Sequence, residues 1–195
     1  MQPQQLTPGE LAGFLWSWWQ SDALPILPPL ADFTVEETRD QELLANIMKV
    51  SPTTIDCRIE AGHYPYLARL GGALAAFGWS SSGQAGFGGG LVTFQVPAKN
   101  RYLYDFVTLP TWRGLGIYPH LLQAILRHES NEHERFWIVH QASNRASERG
   151  ISKAGFHKTC QVHFLTSETL GLVAAPGESA RARVGAAFLD LPLIE

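Results

Sequence analysis

The chain has 195 residues, a formal charge of −3 and 45% hydrophobic residues. That is enough for one well-buried domain and gives no general attraction to nucleic acid or anionic lipid. No apolar run reaches the roughly 18 residues of a membrane span, and no basic stretch followed by an apolar core marks a secretory signal, so no nucleic-acid or membrane partner and a cytoplasmic location are expected.

Residues 1–50 read as a helical N-terminal portion. Thr7-Pro8-Gly9-Glu10 has the form of a capping box, and Leu11, Phe14, Leu15, Trp18 and Trp19 make an apolar stripe at helical spacing. Residues 23–29 are Pro-rich and read as a connector, and 41–50 as a short helix stopped by Pro52. Residues 54–60, 64–70, 73–80 and 91–96 read as strands, with Gly71-Gly72 as a hairpin turn and 80–90 as a Gly-rich hairpin loop. Gly88-Gly89-Gly90 precedes a strand rather than a helix, so it is not a phosphate loop.

Residues 102–109 are apolar, aromatic and β-branched, which suits a buried strand. Pro110 stops it. Arg113-Gly114-Leu115-Gly116 is a tight turn, and Pro119 sits early in a helix whose apolar face is Leu121, Leu122, Ile125 and Leu126. A glycine turn running into a helix N-terminus is a site for a phosphate or pyrophosphate. It is not a P-loop, which needs Gly-Lys-Ser/Thr, nor a dinucleotide fingerprint, whose third glycine is replaced here by Pro119. Residues 135–140 read as the next strand, and a helix then ends at Gly155, before a strand opening at Phe156. The tail is weakly patterned; 181–191 reads as a final strand in a C-terminal extension or hairpin over 168–195.

Other chemistry is poorly supported. His128 and His133 are five residues apart, on different faces of a helix, and do not form an H-E-x-x-H zinc site, so no metal is expected. Cys57 and Cys160 fit no metal spacing and read as buried thiols in a reducing compartment; no Cys/His motif makes Cys57 a nucleophile.

The segment Thr108-Leu109-Pro110-Thr111-Trp112-Arg113-Gly114-Leu115-Gly116-Ile117-Tyr118 resembles the acyl-CoA-binding motif of the GCN5-related N-acetyltransferases, Arg/Gln-x-x-Gly-x-Gly/Ala preceded by Val-x-Pro. Pro110, Arg113, Gly114 and Gly116 match. Thr108 departs where Val is usual, and Tyr118 where Gly or Ala is usual, which puts bulk beside the loop. Asn144 to Phe156 is similar to the family's second half, an Asn followed by a helix that ends in Lys-x-Gly-Phe, here with Lys153, Gly155 and Phe156.

The resemblance implies an α/β (α+β) domain over 1–195, with a mixed, mostly antiparallel sheet flanked by helices. It implies acetyl-CoA or another acyl-CoA as co-substrate and a small-molecule or peptide amine as acceptor; a homodimer is compatible with it. The backbone of Phe106, Val107 and Thr108 would pair with the pantetheine arm. Arg113, Gly114, Leu115, Gly116, Ile117 and Tyr118 would hold the pyrophosphate, and Asn144 would contact the cofactor. The thioester would lie where two parallel strands splay apart, near Val107 and His140. Asp105 and His140 are candidate bases, with Glu60 and His63 as further polar groups on the acceptor side. Many members carry a Tyr seven residues after the Asn as general acid; here that position is Ile151. A binder without turnover, suggested by Tyr118, and transfer of a larger acyl or aminoacyl group stay open at this point.

Overall fold

The computed structural model describes residues 9–194. Its strands are β1 (Leu11–Trp19), β2 (Phe33–Glu37), β3 (His63–Leu70), β4 (Ala73–Ser81), β5 (Gln84–Phe87), β6 (Val92–Gln95), β7 (Asn100–Thr108), β8 (Arg135–Gln141), β9 (His157–Phe164), β10 (Leu170–Ala174) and β11 (Leu193–Ile194). Its helices are α1 (Gln41–Met48), α2 (Pro52–Glu60), α3 (Ile117–Glu129), α4 (Arg145–Ala154) and α5 (Ser179–Leu189). Nine strands form one sheet in the order β11-β10-β9-β1-β8-β7-β4-β3-β2, and β5 and β6 form a separate hairpin. Within the large sheet, β7–β8 and β10–β11 are parallel and the other pairs antiparallel.

Side-chain alternation divides the core between the two faces. Phe14, Trp16, Leu103, Phe136 and Ile138 pack against α3 and α4. Leu15, Tyr102 and Trp137 point the other way, onto α5 and the β5–β6 hairpin. Farther along that second face, Leu67, Phe77 and Trp79 meet α1 and α2.

The first 50 residues correct the expectation of a helical portion. Residues 11–19 form a strand, hydrogen-bonded antiparallel to β8 on one side and β9 on the other. The stripe Leu11, Phe14, Leu15, Trp18, Trp19 belongs to a segment apolar on both faces, which a strand in the middle of a two-sided sheet requires. Even Ser17 is fully buried, and its hydroxyl bonds Thr159 on β9 at 2.8 Å. Thr7 and Pro8 of the expected capping box lie outside the described residues. The connector does lack regular structure, and it crosses α3 and α4: Gln123 on α3 donates to the Pro25 carbonyl at 2.9 Å and to the Ala154 carbonyl at 3.3 Å.

Three further expectations are corrected. Residues 54–60 are helical: Ser51 caps α2 by accepting from the Thr54 N–H, and Pro52 takes the first turn. That cap outweighs the β-branched run. The loop over 80–90 contains β5, which pairs with β6. The tail folds as β10, α5 and β11. In α5, Ala182, Gly185, Phe188 and Leu189 are buried at helical spacing, and alanine and arginine are good helix formers. Of the two cysteines, Cys160 is buried but Cys57 is exposed, because α2 turns it outward.

A charged knot lies under the sheet. Arg101 Nε is 2.5 Å from Glu129 Oε2, and the two side chains are only 8% and 6% exposed. Tyr66 and Ser80 donate hydroxyls to the same carboxylate at 2.7 and 3.0 Å, and the Arg101 guanidinium lies 4.7 Å from the Tyr64 ring centre. The Arg101 Nε has no hydrogen-bond partner of good angle, so the contact with Glu129 is ionic rather than a linear hydrogen bond.

Candidate active site

The site begins where β7 and β8 part. Their parallel pairing runs from Asn100↔Arg135 to Leu103↔Ile138 and stops. Beyond it, β7 stays paired to β4 and β8 to β1, so the two strands diverge. The cause lies in β7. Its register with β4 passes from Trp79↔Tyr104 to Phe77↔Val107, which places one extra residue in β7. Asp105 takes φ 51° there, and such a bulge bends a strand and strengthens its twist. Gly78 sits opposite; a Cβ on it would run into the Phe106 ring.

Between the diverging strands lies a cavity of about 220 Å³, lined by Tyr104, Asp105, Phe106, Tyr118, His140 and Asn144 among others. The backbone of β7 beyond Leu103 has no strand partner on that side. Such an edge can pair with an extended ligand arm. Val107, 39% exposed, lies on it.

The turn follows at the end of β7. Arg113 donates its Nε to the Thr108 carbonyl at 3.1 Å and so ties the turn to the strand. Gly116, at φ 81° and ψ 10°, is the N-cap of α3, and no side chain caps the helix. Left-handed geometry there suits glycine. Among the described residues, no amide over 114–118 donates to a backbone carbonyl outside a regular element. An uncapped helix start with a glycine turn before it presents N–H groups and a partial positive charge to an anion. Leu115 is half exposed, while Ile117 is buried beneath the turn.

Tyr118 folds away from the glycines. Its ring packs on Phe106 at a 5.4 Å centroid distance and against Gly150 of α4. Burial, the largest influence, pushes its phenol well above the ordinary value, with the neighbouring Ser147 opposing. Nothing lies within 4 Å of a Cβ built on Gly114, so the bulk of Tyr118 does not cover the loop. Because the ring is only partly buried, Tyr118→Ala is expected to cost about 2 kcal/mol in urea denaturation, less than the ~3–5 of a fully buried aromatic. Tyr118→Phe, which keeps the ring, should cost no more than about 1 kcal/mol.

Three polar groups face the cavity. Asp105 is ion-paired to Arg58 of α2 at 2.8 Å. Tyr104 bonds its hydroxyl to His63 Nδ1, while His63 Nε2 donates to the Gln84 carbonyl at 2.9 Å; burial lowers the His63 pKa first, with Arg58 adding to it and the Gln84 bond opposing. His140 is 7% exposed and donates Nδ1–H to the Gln141 carbonyl at 2.8 Å. Its Nε2 is buried without a partner among the described residues. That tautomer leaves Nε2 unprotonated, enclosed beside the Phe14 and Trp16 rings, and burial, the largest influence, holds the imidazole below its ordinary pKa.

Asp105, Phe106, Tyr118, His140 and Asn144 therefore meet around one cavity, while Val107, Thr108 and residues 113–117 are not among its lining residues. Asn144 also caps α4, its side chain accepting from the Ser147 N–H at 3.0 Å. Ile151 is fully buried in the core and lines no part of the cavity. Glu60 is not among the lining residues either. Arg58, Tyr104 and Ser147 went unread in the sequence: Arg58 because its segment was expected to be a strand, the others because no local motif marks them. Among the described residues no group of three or more His, Cys, Asp or Glu could hold a metal ion, and no helix is long and apolar enough to cross a membrane.

The model of the acetyltransferase (GNAT) family matches residues 10–156. This chain belongs to that family. No curated protein matches it in sequence. Among solved structures, a GNAT-family acetyltransferase from Colwellia psychrerythraea superposes with a TM-score of 0.56 at 14% identity, over 80% of this chain and 56% of its own. A putative GNAT acetyltransferase from Novosphingobium aromaticivorans gives 0.51 at 17% identity, over 80% and 66%. The acetyltransferase AAC(6')-Iy, solved with the bisubstrate analog CoA-S-monomethyl-acetylneamine, gives 0.53 at 17% identity, over 68% and 95%. These likenesses show the fold, and this GNAT chain spans just over half the length of the Colwellia protein.

Proposed function

We propose that this GNAT chain is an acyl-CoA-dependent N-acyltransferase that passes acetyl from acetyl-CoA to an amine by direct attack. One observation carries the reading: β7–β8 pairing ends at Leu103 and Ile138, which leaves a free strand edge, a cavity and an uncapped helix start in line. The edge at Phe106, Val107 and Thr108 suits an amide-bearing arm, and the amides of Gly114, Leu115, Gly116, Ile117 and Tyr118 suit a pyrophosphate, with Asn144 at the inner end. Bound there, the co-substrate supplies an electrophilic thioester carbonyl and a thiolate leaving group.

The chain's own groups do the rest. Asp105, held in place by Arg58, offers a negative charge to an incoming ammonium. The Nε2 of His140 takes the proton, because an ammonium has no lone pair with which to attack. An amide of the free β7 edge is the preset donor for the carbonyl oxygen, the kind of fixed dipole that supplies much of such rate enhancements. Position Ile151 holds no proton to give, so the thiolate takes one from water after it leaves; a thiol with a pKa of ~8.5 makes this tolerable.

Gly116→Glu tests the cofactor half. A carboxylate at the anion site and a side chain at a left-handed N-cap should raise the Kd for CoA at least tenfold by calorimetry. Unchanged affinity would refute the assignment.

A further inference from the structure

A larger groove lies behind the cavity. It holds about 450 Å³ and is walled by Ala12, Phe87, Leu91, Val162, Phe164 and Leu170 among others. These side chains come from β1, β9, β10 and the β5–β6 hairpin, on the α5 face of the sheet. The groove also touches Val139, His140 and Gln141, three of the four residues of β8 that line the cavity between the splayed strands. The two spaces therefore flank the same end of β8, where His140 stands.

The groove's charges are sparse. Among the described residues its lining contains one carboxylate, Glu10, and no Lys or Arg. Its volume falls in the range of small-molecule sites, which are mostly apolar with a few polar groups to orient the ligand. A polycation would bring several ammonium groups against a largely apolar wall, and each uncompensated charge taken from water is costly.

We infer that this groove is the acceptor site, and that the acceptor is a primary amine with one positive charge on a compact apolar body. Its body lies against the aliphatic and aromatic wall, and its nitrogen reaches past Val139 toward the cavity. The Phe87–Leu91 tip closes the far side. This rests on the acyltransferase reading and adds the class of acceptor to it.

The test uses the full chain with acetyl-CoA and a panel of 2-phenylethylamine, hexylamine, spermidine and kanamycin, following thiol release. The same amines are titrated by calorimetry into CoA-saturated protein. The apolar monoamines are expected to exceed the polycations in kcat/KM by at least tenfold, a preference within reach of hydrophobic pockets, and to bind. Phe87→Asp and Leu91→Asp, at partly exposed positions of the hairpin tip, should raise KM for the apolar amines about tenfold with KM for acetyl-CoA unchanged. CoA binding combined with equal or better use of spermidine or kanamycin, with no binding of the apolar amines, or with unaltered KM in the hairpin variants overturns the inference and leaves the acyltransferase reading standing. Absence of CoA binding overturns that reading and this inference with it.

Discussion

His140→Gln is expected to lower kcat by about 10²–10⁴-fold, the range for loss of a positioned base, while CoA affinity stays within about twofold. Glutamine can still donate to the Gln141 carbonyl but has no lone pair basic enough to accept the acceptor's proton. The pH dependence carries the sharper test. The neutral imidazole is the active form, and burial holds its pKa below 6.5. The groups around it act in both directions. Lys158 and Arg145 lower the pKa and Glu148 raises it, while Glu148 itself, bonded by Lys158 at 2.5 Å and Arg145 at 2.7 Å, is held at about 2. Glu148 therefore stays charged through the range where His140 titrates. Native kcat/KM should fall on the acid side, below pH 6.5, and this limb should vanish in His140→Gln. If instead His140→Gln keeps its rate and Tyr104→Phe loses it, the proton leaves through the Tyr104 hydroxyl to His63.

What could be read in the sequence was whatever a few neighbouring residues decide by themselves. Pro110 ends β7, Gly116 takes a left-handed N-cap, Asn144 caps α4 and Gly155 stops it; each does a local task that its residue type announces. The cofactor half proposed for the site is built almost wholly of such residues, so Phe106 to Tyr118 and Asn144 could be named from spacing and resemblance. The parts that escaped depend on distant partners. Leu11–Trp19 is a strand because β8 and β9, more than a hundred residues later, offer it two edges; its own pattern fits a helix as well. The bulge at Asp105 exists only relative to β4, and the Tyr104–His63 bond needs β7, β3 and the β5 carbonyl together. The groove proposed for the acceptor draws on five separate segments, so no stretch of sequence signals it.

Glu129→Ala is expected to destabilise the fold by about 3–5 kcal/mol, the cost of leaving a buried charge without its partner. An acidic residue in the last turn of a helix opposes the helix dipole, so the end of α3 is a poor place for Glu129 on local grounds. Its position is explained by Arg101, at 2.5 Å, and by the hydroxyls of Tyr66 and Ser80. Truncation strands the guanidinium and removes the acceptor of both hydroxyls at once. Arg101→Met combined with Glu129→Leu should be less harmful than either change alone, since no unpaired charge remains, though the two hydroxyls still lose their acceptor. A second readout separates charge from packing. Both ring nitrogens of His133 are buried without partners among the described residues. Burial chiefly holds its pKa down; Arg101 adds to this, and Glu129 and Glu132 oppose it. A His with a lowered folded pKa binds protons more readily in the unfolded chain, so stability is complete above pH 6.5 and falls as the pH drops below it. Removing Glu129 takes away one of the charges that raise the His133 pKa, which widens this window on the acid side. Urea denaturation between pH 7.5 and 5 should therefore show a larger total loss of stability for Glu129→Ala than for the native chain. Equal losses would mean that Glu129 does not act electrostatically on His133, and a cost below about 1 kcal/mol at pH 7.5 would mean that water replaces the carboxylate at Arg101.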